Sequence, residues 1–276
     1  MLHKTKYLFL LLTTLLVTSL SIAQVESDPG TASKLSESEL AARELALEMA
    51  ALLGNAQKWQ VDLLISYDTM QEDGQKIEFG ERRRVSVERP SHILNELQAS
   101  DGKREAVLFD GKNITVSEAN SSVYARTPQP GDIDATVMYF LGDLGMRLPL
   151  AAMMMSQFPA VLEARMRSIE FVEETNILGE PTSHLAGRTI DVDFQVWISS
   201  GERPLPLRIV LTYREAPGQP QFRANFANWN FEPKFAADTF RFTPPAGASE
   251  IPLLGTLGAL AGSGANSAAT TTESGE

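Results

Sequence analysis

The stretch WQVDLLISY at residues 59–67 changes from apolar to polar side chains with a period close to two residues. This alternation is typical of a β-strand that is buried on one side only. It predicts a sheet with one face against a core. The apolar members, which share one face of an extended chain, are Trp59, Val61, Leu63, Ile65 and Tyr67.

Turn signals separate further strand-like stretches on both sides of this segment. Asp73-Gly74, Asp101-Gly102 and Asp110-Gly111 favour tight hairpins, because glycine accepts positive φ. Hairpins in succession predict an antiparallel meander. Strands are expected at residues 75–88, 93–99, 105–109, 114–117 and 123–127, and again at 169–178, 182–192, 194–199, 205–214, 221–231 and 240–243.

A helix is predicted before the first strand. Ser36 and Glu39 have the spacing of a capping box, in which each side chain accepts a hydrogen bond from the other residue's backbone. Gly54 is expected to end the helix in the left-handed conformation. The apolar residues at helical spacing between these points are Leu45, Met49, Leu52 and Leu53.

A second helical region is expected between the two groups of strands. Asp132 is placed to cap it, and it should run to about Ser168 with interruptions at Pro149 and Pro159. Six of the nine methionines of the chain fall in this region. They are Met138, Met146, Met153, Met154, Met155 and Met166.

Together these elements predict an α+β fold that is mainly antiparallel β. We expect a strongly curved sheet, or unclosed β-barrel, whose concave face is covered by the N-terminal helix and the helical insertion. Residues 36–250 should form a single domain. Residues 24–35 and the Gly/Ala/Ser/Thr-rich residues 251–276 are expected to be disordered, because they offer too little apolar surface to bury.

The first 23 residues have the layout of a secretory signal peptide. Lys4 and Lys6 precede an apolar run at residues 8–20, and small residues lead to an expected cut after Ala23. The apolar run is shorter than the roughly 20 residues that cross a bilayer. We therefore expect export and a mature protein without a stable membrane anchor.

The methionine-rich region leaves two interpretations open. Methionine is flexible and polarizable, and it is common where a surface must accept apolar ligands of variable shape. The same residues can instead fill the core between helices and sheet. In the first interpretation the ligand-binding residues are Met138, Phe140, Leu141, Met146, Met153, Met154 and Phe158 of the insertion, with Val61, Leu63, Ile65, Phe79 and Trp197 of the sheet.

Two charged residues fall on the predicted apolar face of the second strand. By parity with Phe79 and Val85, the side chains of Glu81 and Arg83 should point to the core, where an unpaired charge is costly. One hypothesis makes Arg83 a latch that hydrogen-bonds to the helical lid. The alternative is a bulge at Gly80 that turns these charges to solvent.

The amino-acid composition limits the kinds of site and partner that we expect. The chain has no cysteine and three histidines, so thiolate sites are excluded and we expect no metal, no cofactor and no catalysis. A net charge of −11 argues against binding nucleic acid. His184 lies within a strand, and we expect it to be a structural histidine hydrogen-bonded across strands.

Several segments resemble a family of uncharacterised predicted periplasmic proteins, a domain of unknown function. The layout also resembles, more distantly, the lipoprotein-localisation carriers LolA and LolB, whose open barrel is plugged by helices. This resemblance implies a periplasmic location and an apolar ligand such as a lipid, a fatty acyl chain or a lipoprotein. The segments that carry it are 87–90, 109–112, 124–130, 148–150, 184–185, 193–197 and 240–248.

The function that we expect is a periplasmic carrier or binding protein for a lipid-like or acyl ligand, held between the concave sheet and the methionine-rich helices. The alternative is a non-enzymatic accessory protein with a fully packed core, working with an envelope protein partner.

Overall fold

The alternating stretch at residues 59–67 lies in the middle of one large sheet. The computed structural model describes residues 35–144 and 148–253, and within them twelve strands form a single sheet. The predicted leader up to residue 34 and the tail from residue 254 lie outside the described residues. The strands are β1 Lys58–Met70, β2 Lys76–Glu88, β3 His92–Ala99, β4 Arg104–Phe109, β5 Asn113–Glu118, β6 Val123–Pro128, β7 Ser168–Thr175, β8 Thr182–Arg188, β9 Val192–Ser199, β10 Pro206–Tyr213, β11 Gln221–Asn230 and β12 Ser249–Pro252.

The strand order is β12-β6-β5-β4-β3-β2-β1-β11-β10-β9-β8-β7, and in the described part of the chain β12 and β7 are edges that do not pair with each other. All neighbours are antiparallel except β12, which runs parallel to β6. The predicted meander is therefore confirmed. β12 corrects the boundary of the predicted tail, because Ile251 pairs with Ala125 inside the sheet.

The predicted strand at residues 240–243 is wrong. Residues 237–240 form turns, and the aromatic side chains that imitate a strand pattern pack across the sheet instead. The ring of Phe240 lies 5.1 Å from that of His92, and the ring of Phe242 lies 4.9 Å from that of Tyr124. This segment thereby brings the chain from β11 to β6.

Helix α1 (Glu37–Asn55) begins with the predicted capping box. Ser36 Oγ accepts from the Glu39 amide at 3.1 Å, and Glu39 Oε2 accepts from the Ser36 amide at 2.7 Å. The expected left-handed ending at Gly54 is wrong, because the helix continues to Asn55 and Ala56 is extended. Gly54 is needed for close approach instead: a Cβ there would lie 2.9 Å from the Ser156 carbonyl oxygen and 3.3 Å from Pro159 Cδ.

Between β6 and β7 the described residues form four short elements, which we call the helical cover. They are α2 (Ile133–Met138), a π-helical turn (Tyr139–Asp143), a 3-10 helix (Ala151–Met154) and α3 (Phe158–Arg165). The predicted long helical region is therefore broken into short helices of four to eight residues. Pro159 lies in the first turn of α3, where its missing N–H costs nothing, so it starts a helix and does not interrupt one.

The sheet curves around one core. Twelve strands at about 4.8 Å spacing would span more than about 50 Å if flat, whereas α1 is only about 28 Å long. Yet Ala125 of β6, Leu185 of β8 and Ala46 of α1 belong to the same buried cluster. The concave face therefore holds the core, beneath α1 and the helical cover.

Candidate functional site

Three predicted ligand-binding residues of β1 form the floor of the concave face. Val61, Leu63 and Ile65 are buried, and the register places Leu63 opposite Phe226 of β11 and Ile65 opposite Ala224. Their positions confirm the parity read from the alternating sequence. From β1, the apolar floor continues on the same face of the sheet through β10 and β9.

Five predicted residues of the helical cover meet this floor. Phe140, Met153 and Phe158 are buried in the same cluster as the β1 residues, and Leu141 and Met154 are partly buried against it. The structure thus brings eight of the twelve predicted residues together. They contact one another as a packed core between sheet and cover.

Three of the remaining residues lie elsewhere, and Met146 lies outside the described residues. Met138 ends α2 with 54% of its surface exposed, and Phe79 is 41% exposed near the β1–β2 hairpin, stacked on Tyr67. Trp197 is on the convex face, so its placement in the concave site is wrong. Its neighbours Val196 and Ile198 are both buried, and alternation sends the side chain between them to the opposite side.

The predicted ligand-binding residues did not include those of α1 or of β11, which flanks the floor, although α1 was expected to cover the concave face. Met49 and Leu53 of α1 are buried in the cluster, as are Met155 and Met166 beside the cover. Trp229 of β11 stacks on Phe226, with ring centroids 5.7 Å apart. Helical spacing marked Met49 and Leu53 as apolar, and the predicted position of α1 over the concave face is confirmed, so both residues could have been included.

Asp134 connects the separate pieces of the helical cover. One carboxylate oxygen accepts from the Ser156 amide at 2.7 Å, and the other accepts from the Ser156 hydroxyl at 2.7 Å and the Gln157 amide at 3.2 Å. This side chain on α2 therefore satisfies backbone donors at the start of α3. The Ile133 amide donates to the Pro90 carbonyl oxygen at 2.9 Å, which fixes α2 to the sheet.

Arg89 connects the C-terminal end of α1 to the sheet. Its Nε donates to the Ala56 carbonyl oxygen at 3.0 Å and its Nη2 to the Leu53 carbonyl oxygen at 3.2 Å. These carbonyls at the end of α1 have no partner within the helix. Burial lowers the pKa of Arg89. The guanidinium thus fixes α1 to the end of β2.

Glu81 and Arg83 do face the concave side, as their parity predicts. The β1–β2 register runs without a shift from Lys58↔Glu88 to Met70↔Lys76, so the alternative of a bulge at Gly80 is wrong. The latch hypothesis is also wrong in the described structure. Arg83 Nε donates to Glu81 Oε1 at 2.6 Å on its own strand, and within the described residues it has no hydrogen bond to the helical cover.

The concave face therefore carries a local polar patch on β2 and β3. Glu81 is buried beside Ile65, and Asn95 of β3 has a buried Oδ1 with no hydrogen-bond partner among the described residues. Burial, followed by the nearby charge of Glu81, raises the pKa of Tyr67.

His184 has the structural role that its sequence position predicts. Its Nε2 lies 3.1 Å from Gln195 Oε1 on the neighbouring strand, and its ring stacks on Trp197 at 4.0 Å between centroids. Within residues 35–144 and 148–253, no group of His, Asp and Glu side chains is arranged to hold a metal ion. Across the same residues, no helix is both long and apolar enough to span a membrane.

A separate open groove of about 780 Å³ lies at the C-terminal end of α1. Its floor includes Leu52, Pro204 and Phe231, and its rim carries both acidic and basic side chains, among them Glu48 and Arg203. Arg203 lies over the ring of Phe231, 5.3 Å from the centroid. None of the predicted ligand-binding residues lines this groove.

A family model described as "Predicted periplasmic protein (DUF2092)" matches residues 42–254 of the chain. No curated protein matches the sequence significantly.

Solved structures share a similar layout at low similarity. MucB in the Pseudomonas aeruginosa MucA/MucB complex is 17% identical, with a TM-score of 0.41 over 76% of this chain and 63% of that chain, so this chain spans less than two thirds of it. The Mycobacterium tuberculosis lipoprotein LppX is 15% identical, with a TM-score of 0.42 over 69% and 96%. A LolA superfamily protein from Nitrosomonas europaea is 11% identical, with a TM-score of 0.34 over 75% and 99%. Likenesses this weak carry no argument about function.

Proposed function

We propose that this chain, which belongs to the DUF2092 family of predicted periplasmic proteins, binds an apolar, chain-like ligand such as the acyl chain of a lipid or lipoprotein. The ligand would lie between the apolar floor of the concave face and the helical cover. We further propose that residues 1–23 direct export and are removed after Ala23.

One observation carries the proposal. The cover over the apolar floor is built from short helices of four to eight residues with methionines in the core, not from one continuous helix. Short helices have little stability of their own, and methionine side chains adapt to irregular shapes. Such a cover can separate from the sheet and re-form around a chain-like molecule at low cost in free energy.

A second candidate is favoured by a different observation. The predicted binding residues Val61, Met153 and Phe158 are already buried in one core cluster. If that packing is permanent, the protein is a non-enzymatic accessory component of an envelope assembly. The two candidates differ only in whether the helical cover opens.

A matched pair of methionine variants tests the carrier function. Met153 is buried and Met138 is exposed, and both belong to the helical cover. We expect Met153→Ala to weaken binding of a fluorescent fatty acid about ten-fold or more, since burying a methionine side chain contributes about 1.5–3 kcal/mol and each 1.4 kcal/mol changes the affinity about ten-fold. Met138→Ala should leave the affinity unchanged.

Circular dichroism would first establish that both variants are folded. Native mass spectrometry of protein released from the periplasm without detergent should show co-purifying lipid. If the native spectra contain only unbound protein and the fatty acid does not saturate any variant, the accessory function replaces the carrier function.

A further inference from the structure

Strand β7 is an edge of the sheet, and the outer side of its backbone can form further hydrogen bonds. Among the described residues, β8 is the one strand that pairs with it. An edge strand presents unpaired N–H and C=O groups at alternate residues, and these can accept another strand. The opposite edge differs, because the short parallel strand β12 covers β6 there.

Apolar side chains stand exposed along β7. Phe171 is 39% exposed and Val172 is 49% exposed. The β7–β8 register shifts between Phe171 and Glu173, so Val172 is the extra residue of a bulge and has no counterpart on β8. Ile177, just beyond the strand, is also exposed. The edge thus combines backbone donors and acceptors with an apolar surface.

Acidic residues flank this apolar surface and determine what can cover it. Glu170 and Glu173 are exposed, although one oxygen of Glu173 lies 3.9 Å from His184 Nδ1. If a second copy paired antiparallel with Phe171 opposite Val172, Glu170 of each copy would face Glu173 of the other. Like charges directly opposite each other are destabilising, so a second copy is a poor occupant in this register.

We infer that β7 is a docking edge for an extended segment of a partner protein that carries lysine or arginine next to apolar residues. Backbone hydrogen bonds would supply affinity, as in other cases of strand addition. Lysine or arginine opposite Glu170 and Glu173 would supply selectivity, and the net charge of −11 adds long-range attraction. This inference is independent of acyl binding at the concave face.

A blocked seven-residue peptide that alternates lysine and valine tests the edge. We expect saturable binding by isothermal titration and slower hydrogen exchange for the amides of residues 169–174. Val172→Pro should abolish binding, because proline removes a donor, and the bulge position lets the strand tolerate it. An unchanged circular dichroism spectrum would show that this variant is folded.

Charge reversal provides the selectivity test. The double variant Glu170→Lys with Glu173→Lys should bind the lysine peptide at least ten-fold more weakly and gain affinity for a glutamate–valine peptide. Glu250→Lys on β12 serves as the matched control and should change neither affinity. The inference would be overturned if neither Val172→Pro nor the charge reversal changed the affinity for the peptides. Self-association through β7 in sedimentation measurements would overturn it as well.

Discussion

The two sides of the core differ in how firmly the backbone holds their side chains. On the sheet side, Val61, Leu185 and Ile198 belong to strands with hydrogen-bonded neighbours on both edges. On the cover side, Met153 and Phe158 lie on helices of four and eight residues that depend on contacts with α1 and with each other. The sheet side should therefore determine stability, and the cover side should determine access to the core.

The largest effect is expected on the sheet side. Leu185 is fully buried, so Leu185→Ala should lower the free energy of unfolding by about 2–5 kcal/mol, through lost burial and a cavity that strands cannot close. Leu64→Ala, at an exposed position of β1, should stay within about 0.5 kcal/mol. Urea denaturation measures both. An equal loss for the two would contradict the distinction.

The second-largest effect is expected at the contact between α1 and the helical cover. Gly54→Ala places a Cβ 2.9 Å from the Ser156 carbonyl oxygen, so residues 155–159 must shift, at a cost of about 1–3 kcal/mol. The control Gly142→Ala, also in the cover, meets no atom within 4 Å among the described residues and should be neutral.

Because the chain has no native cysteine, Met153→Cys reports the opening of the cover by its rate of thiol labelling. Labelling should accelerate in the Gly54→Ala background and not in the Gly142→Ala background. Equal rates would show that α1 does not hold the cover closed.

A smaller effect is expected at Asp134. Asp134→Ala removes three hydrogen bonds to Ser156 and Gln157, and side chains that cap helix starts contribute about 0.5–2 kcal/mol. Asp143→Ala, in the exposed π-helical turn, is the control. Hydrogen exchange should accelerate within α3 but not within β8, and uniform acceleration would mean that cover and sheet open as one unit.

The smallest effect is a pH dependence that belongs to the sheet. Burial alone would raise the pKa of Asp68, but hydrogen bonds from Arg223 and the Gln221 amide outweigh it, and the pKa is lowered. Because its pKa is lower in the folded protein, ionised Asp68 stabilises the fold at pH values above the unfolded-state pKa of about 3.9. This stabilisation is lost as the pH falls through the pKa of the folded state.

Stability of the parent protein should therefore fall more steeply below about pH 4 than that of Asp68→Asn. The rate of labelling at Met153→Cys should not follow this change, because Asp68 lies on the convex side. If the parent protein and the variant showed parallel pH profiles, Asp68 would not be a cause of the pH dependence of stability.

The sheet could be predicted from sequence because alternation fixes both the strand and its face. Parity placed Glu81 and Arg83 on the concave side, although it did not identify each as the other's partner. Trp197 was misplaced although the same alternation applies to it, because the buried neighbours Val196 and Ile198 fix it on the other face.

The cover could not be predicted in the same way. A continuous run of methionine, leucine and alanine has no period that separates one long helix from several turns. Leu150 takes a left-handed conformation, with φ of 66°, just before the 3-10 helix, and no residue type there signals it. What holds the pieces together is tertiary, since Asp134 and Ser156 are far apart in the sequence.

The most direct test of the carrier function is photo-crosslinking with a palmitate that carries a diazirine near the end of its chain. Mass spectrometry of the digested protein then locates the adducts. The proposal predicts adducts on the β1 floor around Leu63 and on the cover around Met153 and Phe158, competed away by unlabelled palmitate. Adducts confined to the groove around Leu52 and Phe231, or absent altogether, would contradict it.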